Sequence, residues 1–464
     1  MRTTMTFRLL PLALAAMLAG CAVGPAYKVP STPAPAAFKE AAGWVAAAPA
    51  DTLERGPWWT LFNDPLLNDL AKQVEVSNQN VAAAVASYAQ ARSLVAEQRA
   101  SLFPSVSLNG SGDRSGGREV DSKNSYRLNL GASWEPDIWG RLGASVSSAK
   151  AGEQASAADL ASARLSAQGE LVVNYFQLRM TDAQIALLAT TIEGYERVAQ
   201  ITQNRFNAAI AAKSDLLQAQ TQLANARVDA LSLTRQRAQL EHAIAILVGK
   251  APADFTLAPA AWQANAPDVP LAVPSTLLQR RPDIAAAERR VAAANAQIGI
   301  ARSAYYPNIG LSGSVGTGGS KVGDLLRAST MLWSVGASLA QSIFDAGATR
   351  AHVAGVEAQH AQAVARYRQT VLSAFGDVED QLIATQVLTQ QQALRVQASQ
   401  AADQVEQQML NRYKAGQVSY TEVVQAQSTA LSARRSLVQL QADRQSTAVA
   451  LIQSLGGGWK ASLE

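Results

Sequence analysis

Few side chains in this 464-residue sequence could carry out catalysis or bind a metal. The chain has three histidines and one cysteine, too few for a Cys/His metal site or a Cys–His nucleophile pair. His352 and His360 lie eight residues apart on one predicted helix, and no carboxylate or cysteine completes a site with them. The glycine-rich stretch 313–319 lacks the Lys-Ser/Thr pair and the helix that follow a phosphate-binding loop. The sequence therefore predicts no catalytic residues, no metal site and no enzyme activity.

The single cysteine, Cys21, is placed for covalent lipid attachment. Residues 1–20 combine Arg2 and Arg8 with an apolar stretch too short to span a membrane, which indicates a secretory signal peptide. The stretch ends in Leu-Ala-Gly-Cys, which matches the bacterial lipoprotein box; a buried cysteine in a helix is the alternative interpretation. Ala22 follows where Asp would favour inner-membrane retention in Gram-negative bacteria. We expect a diacylglycerol and an N-acyl chain on Cys21, no other cofactor, and anchoring in the outer membrane with the chain extending into the periplasm.

Composition points away from nucleic acids and from one compact core. The 40 basic and 36 acidic residues give a net charge of +4 and are spread along the chain, whereas a nucleic-acid protein would show a concentrated basic face. Charged residues are only 16% of the chain, and much of the apolar fraction is alanine, the best helix former. At this length we expect several domains or one elongated body.

Proline spacing predicts very long helices. Proline is absent from 137–251 and from 308–464, and it breaks helix interiors. In the first of these stretches a 3-4 spacing of mainly apolar residues predicts a coiled-coil seam, with an ordinary helical bundle as the alternative. Asp64-Pro65 and Arg281-Pro282-Asp283 predict helix starts. The seam consists of Leu216, Ala219, Leu223, Ala226, Ala230, Leu233, Arg237, Leu240, Ile244 and Leu247.

The sequence contains an internal repeat. Residues 103–108 echo 306–311, and 205–208 echo 412–415. Each half is predicted to run helix, strand, loop, strand, long helix, turn, long helix, with a Pro-rich linker between the halves. The predicted ranges are a signal peptide 1–20, a lipidated segment 21–62, a first repeat 63–250, the linker 251–274, a second repeat 275–456 and a tail 457–464.

Four segments alternate apolar and polar residues as strands do. They lie at about 103–112, 125–136, 306–316 and 331–342, and polar or glycine-rich loops at about 112–125 and 316–330 join each pair. Aromatic residues near the strand ends are typical of transmembrane barrels; two hairpins packed on a helical domain are the alternative. Four strands cannot close a barrel, so strands in a membrane would have to be pooled by two or three chains with cyclic symmetry.

An ordered set of motifs resembles the outer membrane factors of tripartite efflux pumps, which are TolC-like channels, and within them the lipoprotein branch called NodT or OprM-like. The resemblance covers essentially the whole mature chain. The motifs are CAVGPAY at 21–27, WW at 58–59, FNDPL at 62–66, WEPDIWGR at 134–141, RPDI at 281–284, AANAQIG at 293–299, IFDAG at 343–347 and LGGGW at 455–459.

The resemblance implies an α+β membrane protein with a long antiparallel α-helical coiled-coil barrel and a transmembrane β-barrel of twelve strands shared by a homotrimer. It also implies a periplasmic adaptor protein and an inner-membrane pump, the RND type being expected, as partners. The channel would be a passive exit duct for drugs and toxic small molecules. A protein-secretion duct of the same fold and a non-channel trimeric coiled-coil scaffold are the alternatives.

The resemblance further implies that the turns between paired long helices, near 207–215 and 414–422, close the periplasmic end. Gly416 keeps the family's turn glycine, whereas Ala209 replaces it in the first repeat and is expected to be strained. Gln425 stands where the family commonly has Asp. Our hypothesis is that Asp215 and Glu422 form carboxylate rings at the pore constriction, and that Arg205, Arg412 and Tyr413 help to hold the closed state; solvated turn residues are the alternative.

Overall fold

A computed structural model describes residues 23–32, 35, 37–40, 57–267 and 281–457. The predicted signal peptide, Cys21 and nearly all of the tail lie outside these residues. The chain divides into two compact units, one containing residues 23–32, Ala86–Ala157 and Ala286–Thr370, the other containing the remaining described segments. Each unit draws on both sequence repeats, so the repeats are not separate folding units.

The helices occur in pairs of equal length, one member from each repeat. Helices α2 (Gln79–Ala100) and α5 (Pro282–Ser303) have 22 residues each. Helices α3 (Arg141–Asn207) and α6 (Ala348–Lys414) have 67 residues each, about 100 Å of helix. Helices α4 (Lys213–Leu247) and α7 (Tyr420–Ser454) have 35 each. Together with α1 (Pro65–Ser77), this order confirms the internal repeat and the long helices.

Two helices begin where the sequence indicates. The Asp64 carboxylate accepts hydrogen bonds from the backbone N–H groups of Leu66 (3.0 Å) and Leu67 (3.1 Å), with proline at the first helical position of α1. Helix α5 begins at Pro282, where a proline costs no hydrogen bond. Among the described residues, no helix is both long enough and apolar enough to cross a membrane.

The seam predicted on α4 is confirmed. Leu216, Ala219, Ala226, Leu233, Ile244 and Leu247 are buried, and the other four seam residues are half-buried, while intervening positions such as Val228 and Leu231 are exposed. The side of α4 that packs against its neighbours is therefore the stripe of residues at 3-4 spacing.

A polar network fixes the segment that follows α4. Asp182 on α3 is almost fully buried and pairs with Arg179 (3.1 Å) and with Arg237 on α4 (2.7 Å). Arg237 also pairs with Glu241 (2.7 Å) and donates to the Leu257 carbonyl, while the Leu257 N–H donates to Glu241 (2.6 Å). Buried charges need this degree of pairing. The described part of the linker, up to residue 267, is thus bound to two helices.

The four strands form one antiparallel sheet in the order β1-β2-β3-β4. Their bounds are β1 Ser105–Gly117, β2 Val120–Trp134, β3 Asn308–Gly319 and β4 Met331–Ala340. The loop predicted at about 112–125 is wrong: β1 and β2 stay paired through Ser115–Lys123, and only residues 118 and 119 turn. The apolar alternation ends before the pairing does, because a ladder of backbone hydrogen bonds does not require apolar side chains.

The sheet has one apolar and one polar face. Partner residues in register line up in rows that cross all four strands. One face carries the rows Val106–Ala132–Gly313–Val335 and Leu108–Leu130–Val315–Trp333. The opposite face carries rows such as Ser107–Gly131–Ser314–Ser334. Leu108, Leu130, Val315 and Trp333 are exposed, so the described chain does not cover this row. The edges β1 and β4 are not paired with each other.

The first described residues pack at the base of this sheet. The Val23 N–H donates to the carbonyl of Trp139 (3.4 Å), just beyond β2, and Asn295 on α5 donates to the Pro25 carbonyl (2.9 Å). Gly24 lies against Gly299, where an added Cβ would lie 3.0 Å from the Gly299 Cα. Two motifs far apart in sequence, 21–27 and 293–299, therefore meet.

Candidate functional site

The turn after α3 and the turn after α6 have the same backbone geometry. In the first, the Ala209 N–H bonds the Phe206 carbonyl (2.9 Å) and the Ile210 N–H bonds the Arg205 carbonyl (2.8 Å). In the second, the corresponding bonds run from Gly416 to Tyr413 (3.0 Å) and from Gln417 to Arg412 (2.9 Å). Both are Schellman motifs, which need a left-handed residue after the helix.

Alanine and glycine fill the left-handed position of these two motifs. Ala209 has φ 58° and Gly416 has φ 76°. A left-handed residue with a Cβ costs about 1–2 kcal/mol, whereas glycine adopts this conformation freely. The first turn therefore carries the backbone strain expected from its sequence, and the second does not.

Arg205 joins the two turns. Its Nη1 donates to the carbonyls of Tyr413 (2.9 Å) and Lys414 (3.3 Å), the last residues of α6, and its Cζ lies 4.7 Å from the centre of the Tyr413 ring. A cation at the C-terminal end of a helix also interacts favourably with the helix dipole. Its buried Nε has no hydrogen-bond partner among the described residues.

A small apolar cluster supports Arg205. Tyr413 and Tyr420 are buried with ring centres 5.3 Å apart, and they pack with Val198, Ala219 and Val423. The Tyr413 hydroxyl lies 3.4 Å from Thr202 Oγ1. Burial, followed by the neighbouring acidic groups of Tyr413, Tyr195 and Asp215, raises the pKa of Tyr420. The ring of Tyr413 thus has one face toward Arg205 and an edge in a packed core.

The two predicted acidic residues lie in the first turns of the returning helices. The Glu422 carboxylate accepts from the Ser419 backbone N–H (2.9 Å) and lies 3.4 Å from the Ser419 hydroxyl, as in a capping box. Asp215 is half-buried in the first turn of α4, where the N-cap residue Ala212 offers no side-chain cap. Negative charge is favourable at both positions because of the helix dipole.

Arg412 and Gln425 lie outside the cluster and have no counterpart, among the described residues, of the contacts that Arg205 makes. Arg412 is the repeat counterpart of Arg205, yet it is exposed, as is Gln425. Sequence reasoning missed Tyr420 and Thr202. A signal for Tyr420 was present, since two tyrosines seven residues apart bracket the second turn. Thr202 gives no such signal, because its neighbour Tyr413 is more than 200 residues away in sequence.

The residues at the two helical turns interact through packing, hydrogen bonds and charge. No group of three or more His, Cys, Asp or Glu side chains in the described ranges could hold a metal ion. A cation held on helix carbonyls, a pair of buried tyrosines and carboxylates at two helix starts can join or separate two helical turns.

Comparison with known proteins identifies the family. The model of the "Outer membrane efflux protein" family matches residues 70–250 and 273–457. The chain is 32% identical over 473 residues to the toluene efflux pump outer membrane protein TtgC of Pseudomonas putida, covering 98% of this chain and 96% of that protein. It is 28% identical over 460 residues to the cation efflux system protein CusC of Escherichia coli, covering 98% and 99%. The solved structure of the outer-membrane channel OprN superposes with a TM-score of 0.87 at 31% identity, covering 95% of this chain and 100% of that one. The chain therefore belongs to the outer membrane efflux protein family, as the sequence motifs indicated, and is a passive outer-membrane exit duct with a TolC-like fold and not an enzyme.

Proposed function

We propose that three copies of the chain form one duct, with a twelve-stranded barrel in the outer membrane of a Gram-negative bacterium. The observation that carries this proposal is the open sheet. Strands β1 and β4 each leave one edge unpaired, and one face carries rows of apolar side chains. In lipid every strand edge has to be paired, and four strands are too few to close on themselves.

Conductance of the purified protein in a planar lipid bilayer tests the duct. We expect discrete channel openings with a single unit size. A preparation that inserts into lipid without conducting would contradict a duct and favour a scaffold.

We propose further that the duct receives its substrates from an inner-membrane pump of the RND type through a periplasmic adaptor. One relative of this chain is named for toluene efflux and another for cation efflux, at 32% and 28% identity. Relatives with the same fold thus serve chemically different substrates, which supports selection by the pump and adaptor. The test is purification of the tagged duct from native membranes: a co-purifying adaptor and RND pump are expected, and a pump of another class would contradict this assignment.

We propose that Cys21 carries a diacylglycerol and an N-acyl chain. The lipoprotein box supports this, and so does the position of Val23 at the base of the sheet, two residues beyond Cys21. Two residues can span at most about 7 Å, so the acyl chains would start close to the sheet. Mass spectrometry of the N-terminal peptide should show the lipid mass, and an unmodified thiol would contradict the proposal.

We propose that the two helical turns are the periplasmic gate and that Arg205, Tyr413 and Tyr420 hold its closed state. In a trimer, Asp215 and Glu422 would each supply three carboxylates around the axis, which favours cations. Arg412 and Gln425 lie at exposed positions, where they could face a neighbouring copy or solvent.

Glu422→Gln tests the ring separately from the capping role, because glutamine also serves at this capping-box position. We expect reduced cation selectivity in single-channel recordings, with a loss of stability of at most about 1 kcal/mol from the helix dipole. Asp215→Asn is the companion variant. Unchanged cation selectivity in both variants would contradict the proposed carboxylate rings.

A further inference from the structure

The connection between β3 and β4 is an ordered structure. Residues 320–330, here called the outer loop, contain two short 3-10 helices, Val322–Leu326 and Ala328–Thr330. The Asp324 carboxylate accepts from the Lys321 backbone N–H (3.1 Å) and pairs with Arg327 (3.5 Å), and the Asp324 carbonyl accepts from Thr330 Oγ1 (2.7 Å). These bonds hold the loop in one conformation.

This ordered loop leaves two apolar side chains uncovered. Leu326 is 91% exposed and Val322 is 61% exposed. The exposed cations Lys321 and Arg327 flank them directly in sequence. Isolated exposed apolar residues are common, but an apolar pair held outward by a bonded loop and bordered by cations matches a lipid interface, with acyl chains beneath phosphates.

The loop folds onto the apolar face of the sheet. Thr317 Oγ1 donates to the Leu325 carbonyl (2.8 Å), and an added Cβ on Gly319 would lie 2.4 Å from the Asp324 Cβ. The Thr317 side chain and the Cβ position of Gly319 lie on the same face as Leu311 and Val315, because strand residues alternate. The loop therefore lies on the side that faces lipid in a barrel and not across the polar interior.

The position of the outer loop indicates what its exposed surface contacts. It contacts β2 and β3, the two inner strands, and leads directly into β4. It also lies at the end of the sheet opposite to the one where the chain enters from α5 and leaves for α6. A surface continuous with the apolar face at this end meets the outer leaflet of the membrane.

We propose that the outer loop is a lipid-binding element, with Val322 and Leu326 among the acyl chains of the outer leaflet and with Lys321 and Arg327 at lipid phosphates. The inference rests on the proposed membrane barrel. It assigns a lipid-binding surface to the connection between the strands of the second hairpin, in addition to the sheet itself.

The test uses single added cysteines, each labelled with an environment-sensitive fluorophore, in the whole trimer reconstituted into vesicles that contain lipopolysaccharide. Leu326→Cys probes the loop, Val335→Cys probes the apolar face of the barrel, and Arg118→Cys probes the turn of the other hairpin. The unaltered chain, with Cys21 acylated, gives the background. Fluorescence is quenched either by nitroxide-bearing lipid or by aqueous iodide.

We expect the label at 326 to behave like the label at 335: quenched by nitroxide lipid and roughly tenfold less accessible to iodide than the label at 118. Val322→Cys is an independent second probe, should the first variant not assemble. Lipid exposure at 335 with iodide exposure at both 322 and 326 would overturn the inference and leave the barrel intact. Iodide exposure at 335 would overturn the proposed barrel, and the inference with it.

Discussion

Single residues distinguish the two otherwise equivalent helical turns. The turn after α3 has a left-handed alanine and no side-chain cap at Ala212, whereas the turn after α6 has a glycine and the Ser419–Glu422 pair. Arg205, at the first turn, donates hydrogen bonds to backbone carbonyls at the second turn. Its repeat counterpart, Arg412, is exposed. The strain at Ala209 was foreseeable from the replaced glycine. Arg205 was predicted to help hold the closed state, but its acceptors were not foreseeable, because they lie more than 200 residues away in sequence.

Exchanging the two left-handed residues should change stability in opposite directions. Ala209→Gly removes strain and should stabilise the folded chain by about 1 kcal/mol, while Gly416→Ala should destabilise it by a similar amount. No neighbour would contact the new Cβ at 416, so only the backbone conformation is tested there. Differential scanning calorimetry in detergent measures both. A shift of the same sign in both variants would contradict the geometry of the turns.

The buried Tyr420 makes the turn cluster sensitive to alkaline pH. Its pKa is raised in the folded chain, so above the ordinary value of about 10 the unfolded chain loses a proton that the folded chain keeps. The contribution of Tyr420 to the free energy of unfolding should therefore be fully present below about pH 10 and should fall as the pH rises further. Tyr420→Phe should weaken this fall, measured by melting temperature between pH 8 and about 11. An unchanged alkaline profile would show that Tyr420 is not the group responsible.

At the scale of elements, periodicity and proline spacing predicted what depends on local sequence. The long helices, the α4 seam, the starts of α1 and α5 and the four strands all follow from such signals. The extension of β1 and β2 through charged residues does not, because backbone pairing there is independent of apolar alternation. Nor could local sequence show that each unit combines segments of both repeats.

The network that binds the linker should contribute more to stability than a surface ion pair with the same N···O distance. Arg237→Ala removes the cation that pairs with Asp182 and Glu241, leaves the Leu257 carbonyl without this donor and should cost about 3 kcal/mol. Chymotrypsin cleavage at Phe255 should then accelerate on the order of 100-fold, if cleavage follows local opening.

The matched control is Arg227→Ala on the same helix. Arg227 pairs with Glu196 at the same 2.7 Å, but the two side chains are 58% and 47% exposed. Such a pair contributes at most about 1 kcal/mol, so cleavage should change less than tenfold. Equal effects of the two variants would show that burial of the Arg237 network does not secure the linker.

At the scale of the whole molecule, the open sheet with its exposed apolar face makes a single chain incomplete. Family membership establishes an efflux channel, and the unpaired edges of β1 and β4 indicate how several chains complete it. The strand count alone left the number of chains open, since two or three could supply enough strands, and the family resemblance implied three.

Native mass spectrometry of the protein released intact from outer-membrane lipid measures that number most directly. We predict a single species with three times the mass of the mature chain, stable until the barrel is denatured. A monomer under the same conditions, with its sheet edges unpaired, would contradict the account.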